Sequence, residues 1–178
     1  VATVGPSPRP LGSMLAALKD GRQVGTVSGG CVEEELLERM RQGDFDSGVP
    51  ELCEYGVSAE SNERLGLPCG GRLKLLLQQL TQADTPWLKQ ILQATHARQG
   101  IQRVVSLSEG TTQLRDIPHF ETLQLNNEYL RQSFGPRSRL LLVGAAQLAQ
   151  KLAELALAMD YEVVITDPRQ QALDQCPG

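Results

Sequence analysis

Apolar positions along the chain recur with two periods. Residues 1–4 and 23–27 read as extended segments, whereas Val32, Leu36, Leu37 and Met40 recur at helical spacing. The pattern predicts a strand over 1–4, then a stiff loop through Gly5-Pro6-Ser7-Pro8-Arg9-Pro10, whose prolines cannot join a ladder. Residues 14–18 lead to Lys19-Asp20-Gly21-Arg22, an Asp-Gly turn before a strand over 23–27 and a helix over 32–42. Gly43 stands where a left-handed cap belongs, Glu33, Glu34 and Glu35 fill the first turn, and Arg39 and Arg41 the last. Such charges need no role beyond complementing the helix ends. A strand over 51–57, a short helix capped by Ser58 and running to 65, and an apolar strand over 72–77 complete a small α/β domain over residues 1–80.

The polar run 78–84 reads as a linker, and residues 81–138 as a linker helix with short strands. Thr85 and Pro86 open a helix that ends near Gly100, followed by strands over 102–107, 111–114 and 122–125, with a turn at Ser108-Glu109-Gly110. No motif is legible there. From 139 the pattern changes: a buried strand over 139–143, the turn Gly144-Ala145-Ala146, a helix to about 159, a strand over 161–166 and Asp167. That is the layout of a dinucleotide-binding parallel βαβ unit, so residues 139–178 read as the start of a Rossmann-like domain. Gly144 supplies the tight turn, Ala146 stands where a second glycine lets a pyrophosphate approach, and Ala149 takes the third position. Asp167 suits either a ribose diol or a strand-end cap. Two parallel strands do not make a sheet, so further strands are expected from residues 101–125, from another chain, or from sequence not included here.

With 178 residues, net charge −4 and 40% hydrophobic content, the chain can bury a sizeable core. No apolar run reaches the roughly 20 residues of a spanning helix, and no basic-then-apolar leader opens the chain, so cytoplasmic residence without a membrane partner is expected. Mild acidity and 4% aromatic residues argue against a nucleic-acid partner. The chain opens at Val1-Ala2-Thr3-Val4, in mid-strand, and closes at Cys176-Pro177-Gly178 soon after another strand; open strands of this kind predict a homodimer.

The candidate chemistry is in the cysteines. Cys31, Cys53, Cys69 and Cys176 form no CxxC pair and are expected to be reduced thiols. His96 and His119 lie too far from them in sequence for zinc-type spacing. Ser28-Gly29-Gly30-Cys31 precedes a helix start, where backbone amides and the dipole favour anions and thiolates. Leu67-Pro68-Cys69-Gly70-Gly71 repeats the thiol and glycine pair in reverse order, as though two backbones approach one object. The plainer reading is a small buried cysteine in a tight corner. Arg9, on its proline support, is either a fork for phosphate or carboxylate or a solvated loop residue.

Ser7-Pro8-Arg9-Pro10 with Gly12-Ser13, Val27-Ser28-Gly29-Gly30-Cys31-Val32-Glu33, Tyr55-Gly56-Val57-Ser58 and Leu67-Pro68-Cys69-Gly70-Gly71 together resemble the XdhC/CoxI family of xanthine dehydrogenase accessory factors. Leu142-Val143-Gly144-Ala145 and Val164-Ile165-Thr166-Asp167-Pro168-Arg169 look like the start of that family's C-terminal Rossmann domain, with Ala146 departing from its Gly-Ala-Gly turn. The resemblance implies a chaperone, with no catalytic residue of its own, that binds molybdenum cofactor (molybdopterin), helps its sulfuration and hands it to an apo molybdenum hydroxylase, alongside a cysteine desulfurase. On that reading Arg9, the amides of Ser28, Gly29 and Gly30 and the helix start hold the anionic part of the cofactor. Cys31 and Cys69, with Gly70 and Gly71, stand near the metal or pass sulfur. Gly144 and Asp167 would take NAD(P). Two alternatives remain: an NAD(P)-dependent oxidoreductase built on the βαβ unit, and a structural partner whose cysteines are core filler.

Overall fold

The computed structural model describes residues 1–4, 9–30, 32–56 and 72–176. Among them the chain is a mixed α/β protein. Val1–Asp84, Val104–Gln113 and Leu123–Gln132 group into one unit; Thr85–Arg103, Leu114–Thr122 and Ser133–Gly178 form a second.

In the first unit, β1 (Ala2–Val4) and β4 (Glu51–Tyr55) flank β5 (Arg72–Leu77), both antiparallel to it. Alternation decides the faces: Leu73, Leu75 and Leu77 of β5 and Cys53 and Tyr55 of β4 turn inward, where Val27, Val32 and Leu36 meet them. Val32 is fully buried and Leu36 is 5% exposed; burying side chains of this size contributes about 1.5–3 kcal/mol each. A hairpin of β2 (Leu15–Ala17) and β3 (Gln23–Gly25) precedes helix α1 (Glu33–Gln42), which ends at Gly43 in the left-handed conformation, φ 85°. The expected strand over 23–27 stops at Gly25 because its φ of 84° leaves the extended region. Arg39 ties α1 to the sheet: its guanidinium donates to Asp44 at 3.0 Å, to the Tyr55 hydroxyl at 3.4 Å and to Cys53 Sγ at 3.7 Å, and lies over the Phe45 ring. The expected helix from Ser58 lies outside the described residues.

β6 (Ile101–Ser106), β7 (Thr112–Asp116) and β8 (Gln124–Leu125) match three expected strands within two residues. A strand not expected, β9 (Tyr129–Phe134), joins them in a sheet of order β7-β6-β9-β8. Residues 101–125 therefore do not extend the later parallel pair, which corrects one of the three sources considered for its missing strands.

In the second unit, helix α2 (Thr85–His96) ends before Arg98, a non-glycine residue with φ 54°. β10 (Arg139–Val143) and β11 (Glu162–Thr166) pair in parallel, Arg139 opposite Glu162 through Val143 opposite Thr166. They are joined through α3 (Gln147–Ala158), whose buried Ala153 and Ala156 allow the helix to approach the strands closely; α4 (Gln170–Leu173) follows. Leu141 and Val143, on one face of β10, are 60% and 83% exposed. No helix among the described residues is long and apolar enough to cross a membrane.

The Arg98 guanidinium donates to the carbonyls of Leu157 (3.0 Å), in the last turn of α3, and Tyr161 (3.2 Å), just before β11. Arg98→Ala is expected to lower the stability of this unit by about 1–2 kcal/mol, read as a shift in its urea midpoint.

Candidate functional site

The segment Thr26–Val32 is built around one carboxylate. Glu33, the first residue of α1, is 5% exposed and turns back toward the end of β3. Its Oε1 accepts the Thr26 hydroxyl at 2.6 Å and the amides of Val27 and Ser28 at 2.9 and 3.0 Å. Its Oε2 accepts the Ser28 hydroxyl and the amides of Gly30 and Val32, the last two at 3.1 and 3.2 Å. The Ser28 hydroxyl oxygen also accepts the Val32 amide at 3.0 Å, and Thr26 Oγ1 accepts the Gly29 amide at 3.0 Å. Burial alone would push the Glu33 carboxyl up; the hydroxyls of Ser28 and Thr26 and the amides of Ser28 and Val27 outweigh it and hold the group well below the usual carboxylate range.

This corrects two expectations. Glu33 does more than complement a helix end, because its oxygens organise the turn that precedes the helix. The amides of Ser28, Gly29 and Gly30 do not await an external anion, because Glu33 and Thr26 already hold them. What this turn offers a ligand is its outer backbone: Gly29 and Gly30 are exposed, with φ 86° and 122°, and a methyl group built on Gly30 would meet nothing within 4 Å. The signal for Glu33 was present in the spacing. Residues 33, 36 and 37 share one helix face, so a glutamate at 33 points where Leu36 does, whereas Glu34 points to solvent.

A carboxylate with a depressed pKa adds stability that is complete above the ordinary carboxylate value and is lost only as pH falls through the folded-state value. Amide protection at Ser28 and Gly30, followed by hydrogen exchange, is therefore expected to be flat from about pH 8 down to about pH 4 and to fail only in stronger acid.

Arg9 is exposed and lines a small hollow with Pro10, Gly12, Val27, Leu73 and Leu75. Ser13 closes the turn beneath it, donating its amide (3.2 Å) and hydroxyl (2.8 Å) to the Pro10 carbonyl. Cys31, Cys69, Gly70 and Gly71 lie outside the described residues.

In the second unit, Gly144 has φ 101° with open space around it, and its amide donates to the Thr166 carbonyl at 2.7 Å. The Asp167 side chain is 2% exposed, and both oxygens are engaged. Oδ2 accepts the Ala145 amide and Arg169 Nη2, each at 2.8 Å; Oδ1 accepts the Arg169 amide at 2.8 Å and Nε at 2.9 Å. The Arg169 guanidinium, helped by the Ala145 and Arg169 amides, holds this carboxyl well below the usual range. In this state Asp167 is a strand-end cap. A cavity of about 430 Å³, lined by His96, Arg98, Arg137 and Tyr161, lies at the N-terminal ends of β10 and β11, away from Gly144 and Asp167 at their C-terminal ends.

Residues 1–56, which include Arg9 and the Glu33-braced turn, match the model of the XdhC and CoxI family. The chain is 32% identical, over 92% of its length and 49% of the relative's, to the molybdenum cofactor insertion chaperone PaoD of Escherichia coli. It is 25% identical to a probable xanthine dehydrogenase subunit of Bacillus subtilis, covering 95% of the chain and 58% of that protein. The chain thus spans about half the length of the curated relatives it matches. A solved Bacillus halodurans structure described as a xanthine dehydrogenase shares the fold with TM-score 0.59 and 24% identity, over 96% of this chain and 57% of that one.

Proposed function

We propose that the chain is an accessory chaperone that binds molybdenum cofactor, assists its sulfuration and inserts it into an apo molybdenum hydroxylase of the xanthine dehydrogenase type. The observation that carries this is its similarity, over nearly the whole chain, to a molybdenum cofactor insertion chaperone, the family match falling on the turn that leads to Cys31.

The cofactor is cargo here. Its chemistry fits what the first unit presents: a thiol after Gly30 in the sequence, the exposed Arg9, and the exposed backbone of Gly29 and Gly30. In this reading Arg9 meets the phosphate, Gly29 and Gly30 form the wall, and Cys31 and Cys69, with Gly70 and Gly71, flank the molybdenum or relay sulfur from a cysteine desulfurase. Ser28 serves the wall indirectly, through its bonds to Glu33 and Val32. Residues 1–80 make up this cofactor domain and 139–178 the start of a Rossmann-like domain, which the parallel pairing of β10 and β11 around α3 supports; the 81–138 stretch, with its helix and short strands, is divided between the two units. The exposed Leu141 and Val143 favour a homodimer, and cytoplasmic residence fits reduced thiols. The NAD(P) reading is weaker, because Asp167 would have to give up Arg169 or Ala145 to reach a ribose.

Anaerobic titration with molybdenum cofactor, followed by gel filtration, tests the proposal: the wild-type chain is expected to retain the cofactor and to activate an added apo-hydroxylase. Absence of retention would count against the proposal, and enhancement of NADH fluorescence on mixing would favour the oxidoreductase.

A further inference from the structure

The cavity of about 430 Å³ at the N-terminal ends of β10 and β11 has no part in the proposed cofactor chemistry and lies wholly within the second unit. Three connections wall it: the end of α2 with His96 and Arg98, the loop 135–138 with Arg137, and the turn from α3 into β11 with Asp160 and Tyr161. Main-chain bonds hold each of them. At the end of α2 the Gln99 amide donates to the Ala94 carbonyl at 2.8 Å and the Arg98 amide to Thr95 at 3.1 Å. The end of α3 repeats the pattern, with the Tyr161 amide on Ala156 at 3.0 Å and the Asp160 amide on Leu157 at 3.2 Å. The loop is seated at Gly135, φ 112°, where a Cβ would come within 2.6 Å of the Gln99 carbonyl oxygen, and the Ser138 carbonyl accepts the Glu162 amide at 2.9 Å.

The residue that turns left-handed after a helix is commonly glycine. Here it is Arg98, φ 54°, and Asp160, φ 60°, the two non-glycine residues with positive φ among the described residues, and both line this cavity. For Arg98 the bonds to the Leu157 and Tyr161 carbonyls account for a side chain at that place. For Asp160 nothing inside the chain does: among the described residues no hydrogen bond or ion pair reaches its carboxylate. The Arg137 guanidinium lies over the Phe120 ring, 5.3 Å from its centroid, and among the described residues it too has no carboxylate partner. Opposite charges that line one cavity without pairing leave room for a molecule between them, and the volume is that of small-ligand pockets, about 300–1,000 Å³.

We propose that this cavity binds a small phosphate monoester that carries hydroxyl groups, of the size of a nucleoside monophosphate. Arg137 and His96 take the phosphate, Arg98 adds positive charge while keeping its two carbonyls, and Asp160 accepts from the hydroxyls. The charges select this class. Two guanidinium groups against one carboxylate favour a dianion over an amino-acid zwitterion, whereas a bare anion would leave Asp160 repelling it with no donor in return. The cavity is at the opposite end of the strands from Gly144 and Asp167, so it is distinct from the dinucleotide layout there and independent of the cofactor chemistry of the first unit.

The test titrates the full chain with AMP and with inorganic phosphate by isothermal calorimetry at fixed ionic strength. AMP is expected to bind with a Kd below about 1 mM. Arg137→Ala is expected to weaken it about tenfold or more, the loss of a charge-assisted bond. Asp160→Asn keeps a residue type that tolerates the left-handed backbone; it is expected to weaken AMP severalfold and to tighten inorganic phosphate, because the hydroxyl acceptor and the repulsion go together. Folding is checked by circular dichroism, and should Arg137→Ala not fold, His96→Ala, at an exposed residue, decides in its place. No AMP binding up to about 10 mM, AMP affinity unchanged in the folded arginine or histidine variant, or wild-type behaviour of Asp160→Asn toward both probes would each overturn the proposal.

Discussion

Alanine at Gly25 is expected to cost about 3 kcal/mol or more and to abolish the ordered turn that precedes Cys31. Two independent effects add. The residue has φ 84°, and a Cβ there would come within 2.3 Å of the Met14 carbonyl oxygen, a main-chain atom that cannot step aside without parting the hairpin. Leu15 pairs directly with Gly25, so the register of β2 and β3 is lost with it, and Thr26, the next residue, can no longer present its hydroxyl to Glu33. Gly30→Ala is the contrast: its φ of 122° is also strained, yet nothing lies within 4 Å, so about 1–2 kcal/mol is expected. Thermal or urea melts of the two variants check the difference; equal losses would mean that the Met14 contact does not govern this hairpin.

Removing both glycine-flanked thiols, Cys31→Ala with Cys69→Ala, is expected to weaken retention of molybdenum cofactor by at least tenfold, a loss that changes beyond the metal's own ligands already produce. Stability should move by less than about 1 kcal/mol, since a small side chain is exchanged for a smaller one. Cys53→Ala supplies the control. That sulfur lies in the core beside Leu75 and accepts from Arg39, so its loss is expected to lower stability and leave retention intact. Unchanged retention in the double variant would remove the thiols from the account.

Much of the fold was legible because its inward positions are apolar and periodic: Leu73, Leu75 and Leu77 mark β5, and Val32 and Leu36 mark α1. Strand β9 was not, because its inward positions are Leu130 and Gln132, and a buried glutamine interrupts the alternation that reveals a strand. Gln102 in β6 is likewise fully buried, matched to Arg115 at 2.8 Å and Glu121 at 2.9 Å, partners distant in sequence. In the candidate site the motif was legible, but the destination of its hydrogen bonds was not. Three successive glutamates look alike as helix-end charges; helical spacing puts Glu33 on the face of Leu36 and Glu34 toward solvent, but only the fold shows the Glu33 bonds reaching back to Thr26. Asp167 shows the same limit, since an acid at a strand end reads alike whether it meets a ribose or its own Arg169.

The proposed cofactor site requires Cys31 and Cys69 to face one another across it. Anaerobic reaction of a Cys53→Ser, Cys176→Ser chain with a bifunctional bimane that fluoresces only on bridging two thiols measures this directly. The account predicts a fluorescent, internally bridged monomer in which peptide mapping joins residues 31 and 69, with bridging suppressed by prior addition of molybdenum cofactor. Separate modification of the two thiols, with no bridge at any reagent ratio, would contradict it.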